Sequence, residues 1–372
     1  MPLANRVFGQ SCVRVLGYPV LRAIAVLLLP SAALAQQQAV TFGGFIDAYY
    51  ALDFGRPHGF DRSFTTQAAR ANEFNINLAF VDAVLTGDKL RGRIALQAGT
   101  AVQAAYANEP AVGQFSGGSL ARHIQEATVG TRLREGLWLD AGIMLSHVGS
   151  ETWVSRDNPT YTRSLIADFS PYYESGVKLT WDVRPDVTAL FTIVNGWGNI
   201  SENNGDKTVG GRLDWAVTPH VSIGYYNLIG NEQPDSLAGR LRLYNGITAK
   251  LSYDEITFTA TFDGGREQRA GADPASWYGG SFIAHLHMTE HVSLVGRFET
   301  FDDSRQVLVK TDAPFNVLGG SLGLDVEPNE GFMWRTEVRA LRGKAPVFQD
   351  RGTASGLSRS NMAVITSLSV SF

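Results

Sequence analysis

Two short runs of the sequence carry charge at one repeated spacing: Arg297-Phe298-Glu299 and Arg335-Thr336-Glu337-Val338-Arg339. In an extended chain, residues two apart lie on the same face. Each run therefore sets opposite charges side by side along one wall. Such a wall can steer and sort ions and polar solutes without covalent chemistry. The same alternation assigns Arg91, Arg93, Lys178, Arg212, Arg242 and Lys250 to that face, with Glu126, Glu174 and Asp214 among the acids. In hydrocarbon each of these charges would cost about 2–4 kcal/mol near the midplane of a membrane, so they must face water or one another.

Other chemistry is weakly supported. Seven histidines are present, and His285 and His287 share a strand face. A metal site would need a third ligand, and no cysteine or obvious carboxylate joins them, so no metal and no cofactor is expected. His123 and His147 stand near long loops and could serve a hydrolytic site at the rim, which is the alternative reading. No Gly-x-Ser-x-Gly nucleophile motif accompanies them, and no glycine-rich phosphate loop stands between a strand and a helix. A net charge of -4 points to no nucleic-acid partner.

The elements that must hold these charges are strands. Segments of about ten residues alternate with period two and follow one another with only turns or loops between them. The last, Ser358–Phe372, sets Met362, Val364, Thr366, Leu368, Val370 and Phe372 on one face and Asn361, Ala363, Ile365, Ser367, Ser369 and Ser371 on the other. We read Leu368, Val370 and Phe372 as the closing signal of a barrel. They would also be the segment offered to the barrel-assembly machinery.

Sixteen such segments can be drawn, with 14 to 18 within the error of one hairpin. Seven tight turns alternate with eight longer loops near 53–71, 103–120, 147–171, 198–206, 231–240, 265–276, 302–314 and 342–357. A soluble sandwich has no reason to keep every second connection tight. An outer-membrane barrel does, because its turns and loops emerge on opposite sides. Backbone groups in lipid must all be paired, so the sheet must close. The fold class expected is all-β: a transmembrane antiparallel up-and-down β-barrel. Charged residues make up 18% of the chain, below the soluble average of about 25%. Mean hydropathy is nevertheless near neutral. That combination suits faces that alternate between lipid and water. No helix is expected beyond the N-terminus.

At the N-terminus, Arg6, Arg14 and Arg22 precede the apolar run Ala23–Leu29, and Ala33-Leu34-Ala35 follows. This pattern reads as a secretory signal, residues 1–35, cut after Ala35, with the barrel domain over 36–372. Cys12, the single cysteine, falls inside the signal. Aromatic girdles are expected from Trp181 and Trp215 beside turns, and from Tyr49, Tyr50, Tyr172, Tyr173, Trp197 and Trp277 beside loops.

Several stretches carry a family resemblance: Gly44-Phe45-Ile46-Asp47-Ala48-Tyr49-Tyr50, Asn72–Ala79, Arg91–Gly99, Ile124–Ala127, Asp157–Ser164 and Ser170–Leu179. Over roughly residues 42–200 the chain resembles the β-barrel porins of the OmpL-like type. The resemblance implies an outer-membrane barrel of transport role with no catalytic residues. It also strengthens the expectation that loop 147–171, through Arg156, Asp157, Asn158, Tyr161 and Arg163, folds inward as a constriction. The function expected is a porin of the Gram-negative outer membrane, a water-filled channel surrounded by lipid for passive diffusion of ions and small polar solutes. Porins are often homotrimers, although no segment here marks an interface.

Overall fold

The structure, a computed structural model, describes residues 38–372 apart from 236, 238 and 239. The signal segment, its cleavage after Ala35 and Cys12 lie outside the described residues. The strands are β1 (Ala39–Asp53), β2 (Phe74–Thr86), β3 (Leu90–Ala98), β4 (Ile124–Arg134), β5 (Leu137–Leu145), β6 (Tyr173–Arg184), β7 (Val187–Val194) and β8 (Thr208–Thr218). They continue with β9 (Val221–Asn231), β10 (Leu241–Ser252), β11 (Ile256–Arg269), β12 (Ala272–His287), β13 (Val292–Asp303), β14 (Phe315–Asn329), β15 (Phe332–Gly343) and the closing strand Ser360–Ser371. These sixteen form one closed antiparallel ring in sequence order.

The closing strand joins β15 on one side and β1 on the other. Ile46 stands opposite Val370 and Ala48 opposite Leu368. The backbone of Phe372 exchanges hydrogen bonds with Gly44, at 2.9 and 3.1 Å. Closure leaves no sheet edge to be satisfied in lipid. Leu368, Val370 and Phe372 all point outward and are exposed.

Alternation sets the faces. On β11, Phe262 is exposed while Thr261 and Asp263 are buried. Phe258 and Phe282 stack outside, ring centroids 5.8 Å apart. Trp181 and Trp215 lie outward beside turns, and Trp215 Nε1 donates to Asp186 at 3.2 Å.

Four local expectations are corrected. On β2, period-two alternation alone sets Phe74, Ile76, Leu78 and Phe80 on one face, and the strand does not keep it. Phe74 is 88% exposed, whereas Asn77 and Leu78 are both buried, so the strand switches faces at that pair. Pairing of β2 with β3 begins only afterwards, at Ala79 opposite Ala98. The anticipated loop 265–276 is instead a hairpin: β11 runs on to Arg269 and pairs with Ala272. Short helices exist at Thr100–Ala105, Gly118–Ala121 and Leu165–Asp168. Four to six residues are too few to show a 3.6-residue period. The first helix ends β3 at Ala98, short of the expected Val102, after Gly99 at φ 139°. Lastly, the loop-side girdle is not one. Tyr49, Tyr173 and Trp277 are buried inside the barrel, and Trp197 and Tyr172 pack there too, leaving Tyr50 against Phe74 at 4.9 Å.

The reason is packing inside the barrel in three clusters, the largest of which holds Trp277 and Trp197. Loops carrying Val148, Leu165, Ile166, Val307, Val309, Val347 and Phe348 fold onto the inward residues Tyr226, Tyr244, Trp277, Phe301 and Phe315. Burying such side chains contributes about 1.5–3 kcal/mol each, and a barrel of this width has interior space for them.

Candidate functional site

Loop 147–171 leaves β5 and crosses the barrel interior to the wall made by β13, β14, β15 and β1. Its contacts there are made almost entirely by inward charges. Arg335 donates to the carbonyls of Ser155 at 2.6 Å, Asn158 at 2.8 Å and Pro159 at 2.9 Å, and to Asp325 at 2.9 Å. Arg297 donates to the hydroxyls of Thr160 at 2.7 Å and Thr162 at 2.9 Å, and to Glu337 at 3.2 Å. Glu337 accepts from Thr162 N and Oγ1 at 2.6 and 2.8 Å. Glu299 accepts from Leu165 N at 2.7 Å and from Arg339 at 2.9 Å. Asp47 of β1 accepts from Ser155 Oγ at 2.7 Å and Tyr161 OH at 3.1 Å.

These partners are hidden from water: the Arg297 side chain is 0% exposed and that of Glu337 is 1%. Two charges in such a place are favourable only with good geometry and further hydrogen bonds, which the loop supplies. Within the loop, burial pushes the Glu151 carboxyl up, against the pull of Arg297 and Ser164. Burial also raises Asp157, opposed by Arg156 and Arg335. Burial, reinforced by Asp47, holds the Tyr161 phenol well above its ordinary value.

The expected wall residues thus divide into two sets. Arg297, Glu299, Arg335, Glu337 and Arg339 point inward but lie buried beneath the loop, with Arg335 also edging a cavity near the short turns. Arg242 is likewise buried, donating to Glu267 at 2.8 Å beside Trp197 and Trp277. The others stand on the opposite side of the interior. Arg91 holds Asp140 at 2.7 Å and lies over Trp138. Arg93 bridges Asp82 and Glu126, both at 2.8 Å. Arg212 holds Asp214 at 2.7 Å and the carbonyls of His147 and Gly149 at 2.8 Å. Glu174 accepts from Ser146 Oγ at 2.8 Å and faces His147 Nδ1.

Of the loop residues, Arg156 reaches Ser371 Oγ at 2.6 Å and Glu327 at 3.2 Å. Asn158 folds the loop on itself, accepting from Thr152 N at 2.6 Å and donating to its carbonyl at 2.9 Å. Arg163 turns away from this wall.

Sequence reasoning missed the loop's own hydroxyls, Ser155, Thr160 and Thr162. It also missed the help given by the first long loop, 53–71, in which Gln67 donates to the Trp153 carbonyl at 3.0 Å and Thr66 to Asp168 at 2.6 Å. The run Thr160-Tyr161-Thr162-Arg163-Ser164 was the available signal: five hydrogen-bonding side chains in a row are dense for a free loop.

Three cavities remain on the side the loop does not fill. A vestibule of about 440 Å³ near the short turns is lined by Lys250, Asp214, His285, His287 and the loop's Arg156 and Asp157. A middle cavity of about 410 Å³ shares Ser150, Glu151 and Arg212 with it. One of about 270 Å³ near the loop end shares Pro171 and Tyr172 with the middle one. Neither rim imidazole faces a hydroxyl in the described residues. His123 Nδ1 lies 3.2 Å from the Gln97 carbonyl, and His147 Nε2 lies 3.1 Å from that of Asn227.

A family model described as "Putative beta-barrel porin-2, OmpL-like" matches residues 39–372. The chain belongs to this family. Its match spans the whole ring, extending the likeness of the N-terminal half through the closing strand. No curated protein matches the sequence. Among solved structures, the OmpL-like chain is similar in fold to an anion-selective porin from Comamonas acidovorans, at 11% identity and TM-score 0.58, covering 90% of this chain and 100% of that one. It is also similar to the trimer form of OmpT from Vibrio cholerae, at 9% identity and TM-score 0.57, covering 91% and 100%. A third is OmpF of Salmonella typhi in complex with daunomycin, at 10% identity and TM-score 0.57, covering 90% and 97%. These likenesses are of fold.

Proposed function

We propose that this OmpL-like barrel is a porin of the Gram-negative outer membrane, passing small polar solutes and ions along a narrow path on one side of its interior. The observation that carries this reading is the series of three cavities with shared walls, running from the turn end to the loop end beside a loop held to the far wall. The path is bordered by Lys178, Arg212, Asp214, Lys250, Arg156 and Asp157, and these set its field. The buried arginines and glutamates hold the loop and act on selectivity through it, apart from Arg335, which also lines the vestibule. Lipid covers the outward apolar face, and export through the periplasm after removal of residues 1–35 delivers the chain. The closing strand, ending in Leu368, Val370 and Phe372, is its signal to the assembly machinery. A homotrimer accords with the trimer form of the Vibrio cholerae relative. A hydrolase at the loop end has less support, since neither His123 nor His147 has a hydroxyl to activate.

The test is single-channel current of the exported barrel in a planar bilayer, beside a variant lacking residues 152–163. The intact barrel should give small, steady, salt-dependent openings, and the deletion should raise conductance severalfold. A correctly folded pair that are both silent would defeat the channel reading.

A further inference from the structure

The middle cavity contains a cation that no acid pairs with directly among the described residues, although Glu151 lies close enough to feel its field. Arg163 is 3% exposed, yet among the described residues it makes no ion pair and its Nε is buried without a hydrogen-bond partner. Its guanidinium carbon lies over the Tyr172 ring, 4.0 Å from the centroid, a cation–π contact that helps hold it in place. Trp153 meets Tyr172 edge-on at 5.0 Å, making a second aromatic wall. A buried arginine is normally paired; here its partner is missing while the space beside it is open.

The neighbouring charges make no ion pair with Arg163: Asp168, buried beside Tyr172, instead accepts from the Tyr172 hydroxyl and from Thr66, both at 2.6 Å. Lys178 and Arg212 line the same cavity, so two further cations face it. Glu151 is the one carboxylate on the lining. It accepts from Ser164 N at 3.0 and 3.2 Å and from Ser164 Oγ, with Arg297 behind it at 3.9 Å. Asp140, opposite Lys178 in the strand register, is taken by Arg91. Asp214 is taken by Arg212. His147 stacks no negative charge into the space, because its ring faces Glu174 and the Asn227 carbonyl.

We propose that this cavity is a binding subsite for small organic carboxylates, with Arg163 as the fork that takes the carboxylate, Lys178 and Arg212 as flanking cations, and Trp153 and Tyr172 as the surface for an apolar or aromatic body. The planar guanidinium suits bidentate recognition of a carboxylate. A cavity of about 410 Å³ accepts a solute of benzoate size. The subsite deepens the porin reading, naming the class of solute that lingers on the path, and it rests on that reading only for its physiological meaning.

Calorimetric titration of the detergent-folded barrel tests the subsite without any current. Benzoate should bind saturably in the millimolar range, and benzamide, which has the same ring without the charge, should bind at least tenfold more weakly. Inorganic phosphate separates a general oxyanion site from a carboxylate site and should bind more weakly than benzoate. Arg163→Gln should weaken benzoate at least tenfold, Arg163→Lys less, and Lys178→Gln severalfold, each with an unchanged circular dichroism spectrum. Equal binding of benzoate and benzamide, phosphate binding as tight as benzoate, or unchanged affinity in a folded Arg163→Gln barrel would each overturn the proposal. Binding without conductance would leave the subsite standing and remove the porin reading; conductance without binding would do the reverse.

Discussion

Arg297 shows how far a single side chain depends on its cover. Alternation alone makes it a wall charge, whose loss should alter ion preference and leave folding intact. With its side chain fully enclosed between Thr160, Thr162 and Glu337, its removal leaves Glu337 with hydrogen bonds from Thr162 but no cation among the described residues, and takes one of two arginines from Glu299. Breaking one partner of a buried pair costs about 3–5 kcal/mol. Arg297→Ala should therefore lower the urea midpoint of the folded barrel and loosen the loop, so that conductance rises; a midpoint equal to the parent's would contradict this placement. Glu151 gives a pH-dependent counterpart. Its carboxyl is raised in the folded barrel, so its charged form is the less comfortable one there. The stability it contributes is full below the ordinary glutamate value of 4.5 and is lost as pH rises through the folded value. Acidifying from neutrality towards 4.5 should raise the melting temperature of the parent relative to Glu151→Gln, and parallel melting curves across that range would refute it.

Among the elements, the closing strand has the most exacting fit. Its backbone bonds reach Gly44, and a Cβ on Gly44 would collide with the Phe372 ring. Glycine there lets the aromatic lie flat on the first strand. Gly44→Val should displace that ring and slow or reduce closure, seen as a smaller fraction of the compact, fast-migrating form on unheated gels. A normal folded fraction would show that the ring's seat is dispensable. The other elements were readable to different depths. Strands with clean alternation, such as β11 and the closing strand, declare both their existence and their faces. On β2 the period breaks where Asn77 and Leu78 both turn inward, and a face switch in the middle of an apolar run leaves no mark in the composition. The β11–β12 hairpin was read as a long loop because Gly265 and Gly271 resemble loop residues, whereas cross-strand pairing carries the ladder past Gly265 to Arg269 and Ala272 and leaves Gly271 in the tight turn.

For the whole molecule, closure turns a series of half-greasy strands into a container, and the container's contents decide what it does. The turn end holds a polar vestibule, while the loop end holds an aromatic core to which several loops contribute. Tyr49, Tyr173 and Trp277 have the residue type and the place in sequence of a membrane girdle, yet they point into three separate buried clusters inside the barrel. Residue type fixes a preference for partial burial; only the direction of the side chain says whether lipid or protein provides it. By itself the sequence determined the ring. Period-two alternation, tight turns at every second connection and a strand that ends on Phe372 are local properties, and hydrocarbon permits only one way of satisfying such strands, which is to close them. What the tertiary structure alone decided is which inward charges meet water. That depends on where loop 147–171 comes to rest, more than a hundred residues in sequence from the arginines that hold it, and no local pattern encodes a contact made across the width of a barrel.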